Sequence, residues 1–197
     1  MVHIKKIFIL IHITFFISAC ITVTDFDSTW HDSQYTAGPI KKTLILILSE
    51  DNIKRRVAED IFKNLLEEKG VKATSSYTIL PIDLKIPKET VKKTIIKHGF
   101  DSVLVAKLLG IRVPGNHGST LYEDYEGYYN SPQGSYMTGK VQYDIAYVDT
   151  KLYKVATEKL IWQVRTRTQT IKAENVKSVV KQIAEKLIGD LSHKNFL

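Results

Sequence analysis

Residues 42–70, KTLILILSEDNIKRRVAEDIFKNLLEEKG, change from one hydrophobic pattern to another within a few positions. LILIL at 44–48 is short, continuously apolar and bounded by polar residues, as expected of a central strand covered on both faces. The next segment places Ile53, Val57, Ile61 and Leu65 at four-residue spacing with Ala58, Phe62 and Leu66 beside them, which predicts a helix with a wide apolar face. Asp51 stands where an N-cap is needed and Gly70 where a helix stops. Arg55, Glu59 and Lys63 are i,i+4 neighbours, as are Arg56 and Asp60, and a solvated helix face is the expected place for both sets. A buried strand leading directly into an amphipathic helix is the opening unit of an α/β layer.

The pattern continues towards the C-terminus. VKATSSYTIL (71–80) reads as a second strand, Pro87 opens a helix through His98 that Gly99 closes, and DSVLVAKLLGIRV (101–113) is a third strand. Strands and helices alternating over short connections predict parallel neighbours joined by crossovers. VQYDIAYV (141–148) and LIWQVRTRT (160–168) then read as antiparallel strands joined around ATEK, with Tyr143, Ile145 and Tyr147 sharing a face. Trp162 and Val164 alternate with Gln163 and Arg165 in the same period of two. The last helix, about 174–191, aligns Val176, Val179, Val180, Ile183, Ala184, Leu187, Ile188 and Leu191. The expected fold is α/β: a single mixed-sheet α/β sandwich over residues 42–197, β-α-β-α-β followed by an antiparallel strand pair and a C-terminal helix.

Upstream of this domain the chain has a different character. MVHIKK carries two lysines and no acid, and IFILIHITFFI (7–17) follows as an apolar run about half as long as a membrane-spanning helix needs. FISAC (16–20) ends that run on the single cysteine of the chain, which excludes an internal disulfide. Cleavage by an ordinary secretory peptidase after Ala19 is disfavoured by the bulky Ile17 three residues before the cut. The tetrad Ile17-Ser18-Ala19-Cys20 instead resembles the lipobox of bacterial lipoproteins. The resemblance implies a cleaved signal peptide over 1–19 and a Cys20 that carries diacylglycerol on sulfur and an acyl chain on its amine. Two or three acyl chains at about 0.8 kcal/mol per buried CH₂ hold a protein on a membrane without any spanning segment. Ile21 is not the aspartate associated with retention in the inner membrane, so the periplasmic face of the outer membrane is the expected location.

Removing residues 1–19 takes away Lys5 and Lys6 and no acid, leaving 26 basic against 21 acidic residues, a formal net charge of +5. The lysines are spread over every segment rather than gathered on one face, so no nucleic-acid partner is expected. Residues 20–41 are rich in Thr, Ser, Asp, Gly and Pro and show no sustained period, and they are expected to form a lipid-anchored tether on which Trp30 and Tyr35 pin the chain to the domain.

KKTLILILSEDNIKRRVAEDIFKNLLEEKGVKATSSYTILP, followed by GFDSVLVAKLLG and KLIWQVRTRTQ, resembles a group of small bacterial outer-membrane lipoproteins. The layout is similar to the α/β domains of the curli-secretion lipoprotein, the lipoprotein activator of penicillin-binding protein, and the N-terminal domain of the Tol-system propeller protein. The resemblance implies a fold and no catalytic residues.

G-x-S-x-G, H-E-x-x-H and Gly-Lys-Ser/Thr motifs are absent, and no catalytic site, metal site or cofactor is expected. His31, His98 and His117 stand apart in sequence and read as surface or helix-end residues. Glu123, Asp124 and Glu126 crowd one segment without the spacing of a cation-binding loop. That segment, 115–140, holds half of the ten tyrosines. Tyr122, Tyr125, Tyr128, Tyr129 and Tyr136 among Gly, Ser and Asn have the composition of a recognition surface, and equally that of a long hairpin folding its aromatics onto the domain. The functional expectation is a non-catalytic, lipid-anchored binding or scaffolding module with an envelope protein or cell-wall partner. The alternative is a self-assembling structural subunit, a homo-oligomer within an envelope or secretion complex.

Overall fold

The computed structural model of the chain describes residues 22–81, 86–109, 120–122, 145–170 and 176–197. The first strand, β1 (Thr22–His31), is followed by β2 (Lys42–Leu48), which divides its side chains between two apolar clusters. Leu44, Leu46 and Leu48 enter one cluster and Ile45 the other, which is why this run reads as continuously hydrophobic. α1 (Asn52–Glu68) starts at Asp51, whose carboxylate accepts from the backbone N–H of Ile53 and of Lys54 at 3.0 Å each. It gives way to Gly70 at φ +84, a left-handed conformation that only glycine adopts without strain.

β3 (Lys72–Ser75) is shorter than the strand expected over 71–80, because Ser76–Thr78 wind into a 3₁₀ turn. α2 (Lys88–His98) follows Pro87 and closes on Gly99, whose N–H reaches the carbonyls of Ile95 and Ile96. β4 (Ser102–Leu109) and β3 both pair parallel with β2, as the two crossovers require. β5 (Ile145–Lys154) runs antiparallel to β4, and β6 (Leu160–Thr170) antiparallel to β5. α3 (Val176–His193) ends the described chain's regular structure. The sheet order is β1-β6-β5-β4-β2-β3, a single mixed sheet, so the expected α/β sandwich is the observed one.

Two cores lie on the two faces of this sheet. Phe62 and Leu66 of α1 and Ile183, Ala184, Leu187 and Leu191 of α3 cover Ile45, Leu104, Leu152, Trp162 and Val164. On the other face Val91 and Ile95 of α2, with Leu121 and Tyr122, cover Leu44, Leu46, Val103, Val105 and Tyr153. Trp162, fully buried, donates its indole N–H to Asp190 at 2.7 Å and so fixes α3 against β6. Among the described residues no helix is long and apolar enough to cross a membrane.

β1 corrects the expectation of an irregular tether over residues 20–41. It pairs antiparallel with β6 along its whole length, from Thr22 opposite Thr170 to His31 opposite Trp162. A bulge between Phe26 and Ser28 breaks the period of two, so Phe26 packs against the α1/α3 core while Trp30 packs against the core of the opposite face. Lys186 ties the strand to α3 by bonding the carbonyl of Thr24, lying 3.3 Å from Asp25 and standing over the Phe26 ring. The segment that follows is pinned as expected, with Tyr35 stacked on Phe196 at 5.3 Å and its hydroxyl donating to the carbonyl of Gly38.

Candidate functional site

Among the described residues a buried charged group lies between the first half of α1 and the end of β3. The buried line of α1 is Arg55, Ala58, Glu59, Phe62 and Leu66, and Ile53 is 77% exposed. The helix is therefore turned relative to its sequence reading, and Arg55 and Glu59, expected in water, face the sheet. They do so because charge and backbone demand are matched there. Glu59 is fully buried: Oε1 accepts from Arg55 Nε at 3.1 Å, Ser76 Oγ at 2.6 Å and the backbone N–H of Ile47 at 3.2 Å, and Oε2 accepts from the N–H of Tyr77 at 3.0 Å. Arg55 Nη2 donates to Ser76 Oγ at 2.8 Å. The carboxylate thus satisfies N–H groups that the sheet leaves unpaired where β3 turns into its 3₁₀ continuation.

A second layer surrounds this pair. Asp60 Oδ1 accepts from Tyr77 Oη at 2.7 Å and from Ser75 Oγ at 3.0 Å, and the Arg56 guanidinium lies over the Tyr77 ring at 5.5 Å. Its hydrogen bond to Asp60 above all, then burial and the nearby carboxylate charges, hold the Tyr77 phenol above its ordinary pKa. Ser, Arg, Glu and Tyr within hydrogen-bonding distance resemble catalytic machinery only in their residue types. Ser76 and Glu59 are wholly shielded from solvent and Glu59 already accepts four hydrogen bonds, so neither can meet a substrate. The arrangement is a clamp that joins α1 to β2 and β3.

The other face of the sheet carries a second polar group, to which β6 contributes Gln163 and Arg165, the residues that alternate with Trp162 and Val164. Asp149, Lys151, Gln163 and Arg165 are each at most 5% exposed. Gln163 Nε2 donates to Asp149 Oδ1 at 2.7 Å, and Arg165 Nε stands 3.8 Å from the same oxygen. The register puts Asp149 opposite Arg165 and Lys151 opposite Gln163, and this complementarity was the signal available in sequence once the pairing is known.

Cys20 and the lipobox residues Ile17, Ser18 and Ala19 lie outside the described residues, as do Tyr125, Tyr128, Tyr129, Tyr136, His117 and the acids Glu123, Asp124 and Glu126. Tyr122 is described, and its place corrects its assignment to a recognition surface: it is 3% exposed because it packs in the apolar cluster that α2 and the sheet share. Burial, with the charges of Glu158 and Glu89, pushes its pKa up to about 12. Lys92 lies 5.4 Å from the ring centre and pairs with Glu158 at 2.9 Å. His31 is exposed at the end of β1, and His98 stacks on Phe100 at the end of α2. Among the described residues no three potential metal ligands come together.

No family model matches the chain, and no curated protein does. Among solved structures it is similar to the PelC dodecamer from Paraburkholderia phytofirmans, at 14% identity and a TM-score of 0.47, over 87% of this chain and 97% of that one. A single-site variant of the same PelC dodecamer is similar at 15% identity and a TM-score of 0.46, over 83% of this chain and 98% of that one.

Proposed function

We propose that the chain is a bacterial envelope lipoprotein, anchored through lipid on Cys20 to the periplasmic face of the outer membrane, whose α/β domain binds or scaffolds an envelope partner without catalysis. The observation that carries the reading is the single cysteine at the end of Ile17-Ser18-Ala19-Cys20, directly after a basic hexapeptide and an apolar run too short to span a bilayer. Among the described residues the buried Ser76-Glu59-Arg55 group serves the fold.

The test is Cys20→Ser in a Gram-negative host. Incorporation of labelled palmitate should disappear, and the protein should leave the membrane fraction in high-salt and alkaline washes. A variant that stays with membranes after those washes refutes the anchor.

A second reading, assembly into a homo-oligomer, is favoured by the two edges of the described sheet. β1 offers ten residues along one edge and β3 four along the other, and an edge-to-edge contact between copies would join two different surfaces, generating a ring or filament. Light scattering coupled to size exclusion, run over a range of concentrations, separates this from a monomer that captures a foreign partner.

A further inference from the structure

We infer that the end of the domain at which β1 begins rests on the lipid bilayer, with Val23, Ile53 and Val176 entering the interfacial layer. The inference depends on the proposed lipid at Cys20, and it adds which surface of the domain meets the membrane.

Covalent geometry sets the first constraint. Cys20 precedes Thr22, the first residue of β1, by two residues, which span at most about 7 Å between Cα atoms. The strand is not the end of a long leash; it starts at the anchor. Sheet register then fixes what else lies at that end. Thr22 is opposite Thr170, Ile145 opposite Gln169, Leu109 opposite Tyr147, and Leu48 opposite Lys107, so the start of β1 and β5 and the finish of β6, β4 and β2 share one end of the sheet. α1 begins at Asn52, soon after the finish of β2, and α3 begins at Val176, soon after the finish of β6.

Exposed apolar side chains gather at that end. The large hydrophobic residues exposed among the described ones are Val23 (49%), Ile53 (77%), Val176 (39%) and Ile96 (61%). Val23 is the second residue of β1, Ile53 lies in the first turn of α1 and Val176 opens α3, whereas Ile96 is in the last turn of α2, at the opposite end. A single exposed aliphatic residue needs no explanation, but three on separate elements converge on the end that the anchor holds at the membrane. Lys54, Arg56 and Lys177 are exposed beside Ile53 and Val176, but Lys54 pairs with Asp51 at 3.1 Å and Arg56 lies over the Tyr77 ring, so the contact rests on the apolar side chains and the anchor rather than on charge. The docking itself can be weak, because an acyl anchor a few ångströms away keeps the local lipid concentration high.

Cys20 is the sole cysteine, and lipid on its sulfur leaves no competing thiol, so Ile53→Cys and Ile96→Cys can each be labelled with an environment-sensitive fluorophore in the mature full chain. In vesicles of phosphatidylethanolamine and phosphatidylglycerol carrying a shallow nitroxide lipid, the label at 53 should shift to the blue and lose most of its emission to the quencher. The label at 96 should behave as it does in water. Equal, water-like behaviour of both labels overturns the docking, as does quenching at 96 without quenching at 53. Intact mass of the same preparations separates the two ideas: an unacylated Cys20 removes the anchor reading, whereas an acylated chain with a wet label at 53 removes the docking alone.

Discussion

Replacing Glu59 with Ala tests whether the buried charge group is the clamp that its geometry describes. The substitution deletes the acceptor for Arg55 Nε, Ser76 Oγ and the backbone N–H groups of Ile47 and Tyr77. Arg55, 4% exposed, keeps only Ser76 Oγ as a hydrogen-bond partner among the described residues. An uncompensated buried cation and two orphaned N–H groups, partly relieved by water entering the vacated space, should cost about 4–6 kcal/mol. That approaches the whole stability of a small domain, roughly 5–15 kcal/mol, and corresponds to a fall in Tm of roughly 10–20 °C. Urea unfolding followed by circular dichroism, in a mature chain kept soluble by Cys20→Ser, measures it, and the m-value should stay constant. The double substitution Arg55→Met with Glu59→Leu removes both charges and leaves the two N–H groups and the Ser76 hydroxyl without these partners, so it should be milder than Glu59→Ala alone, at about 2–4 kcal/mol. A loss below about 1 kcal/mol for Glu59→Ala, or a double variant less stable than the single one, would refute the reasoning.

Two further outcomes follow from the titrating groups. Tyr122 in the folded chain has its pKa raised to about 12 from an ordinary 10.0, so the unfolded chain ionises first as pH rises; its contribution is complete below pH 10 and is lost progressively towards pH 12. The stability gap between wild type and Tyr122→Phe should therefore move in favour of the variant across that window, and a gap independent of pH would show that the phenol is not buried. Asp51→Ala should cost about 1 kcal/mol at neutral pH through loss of the α1 cap. The Asp51 carboxyl lies below its ordinary 3.8, chiefly through its hydrogen bond from the Lys54 backbone, so its contribution is present above that value and disappears as acid protonates it. Wild type and variant should converge in acid, and a penalty that persists there would place the effect elsewhere than the cap.

The course of the chain from β2 to β4 was legible in sequence because every signal it needs is local. LILIL alternates between two covered faces, Asp51 and Gly70 bound α1, and Pro87 and Gly99 bound α2, each acting within a few residues of itself. β6 and the last helix were readable for the same reason, from their own periods, whereas the strand expected over 141–148 continues to Lys154, because pairing with β4 and β6 carries its polar residues Asp149, Thr150 and Lys151 into the sheet. What the sequence left unread depends on partners far along the chain. β1 is a polar segment whose bulge cancels the period of two, and it becomes a strand only because β6, some 140 residues later, supplies its ladder. Arg55 and Glu59 look like any exposed i,i+4 pair until Ile47, Ser76 and Tyr77 bring donors to the carboxylate. Gln163 and Arg165 look outward-facing until Asp149 is set beside them by register. A charge can be buried only where its counterpart waits, and that counterpart is fixed by tertiary structure, whereas helix caps and hydrophobic periods carry their physical cause within the segment itself.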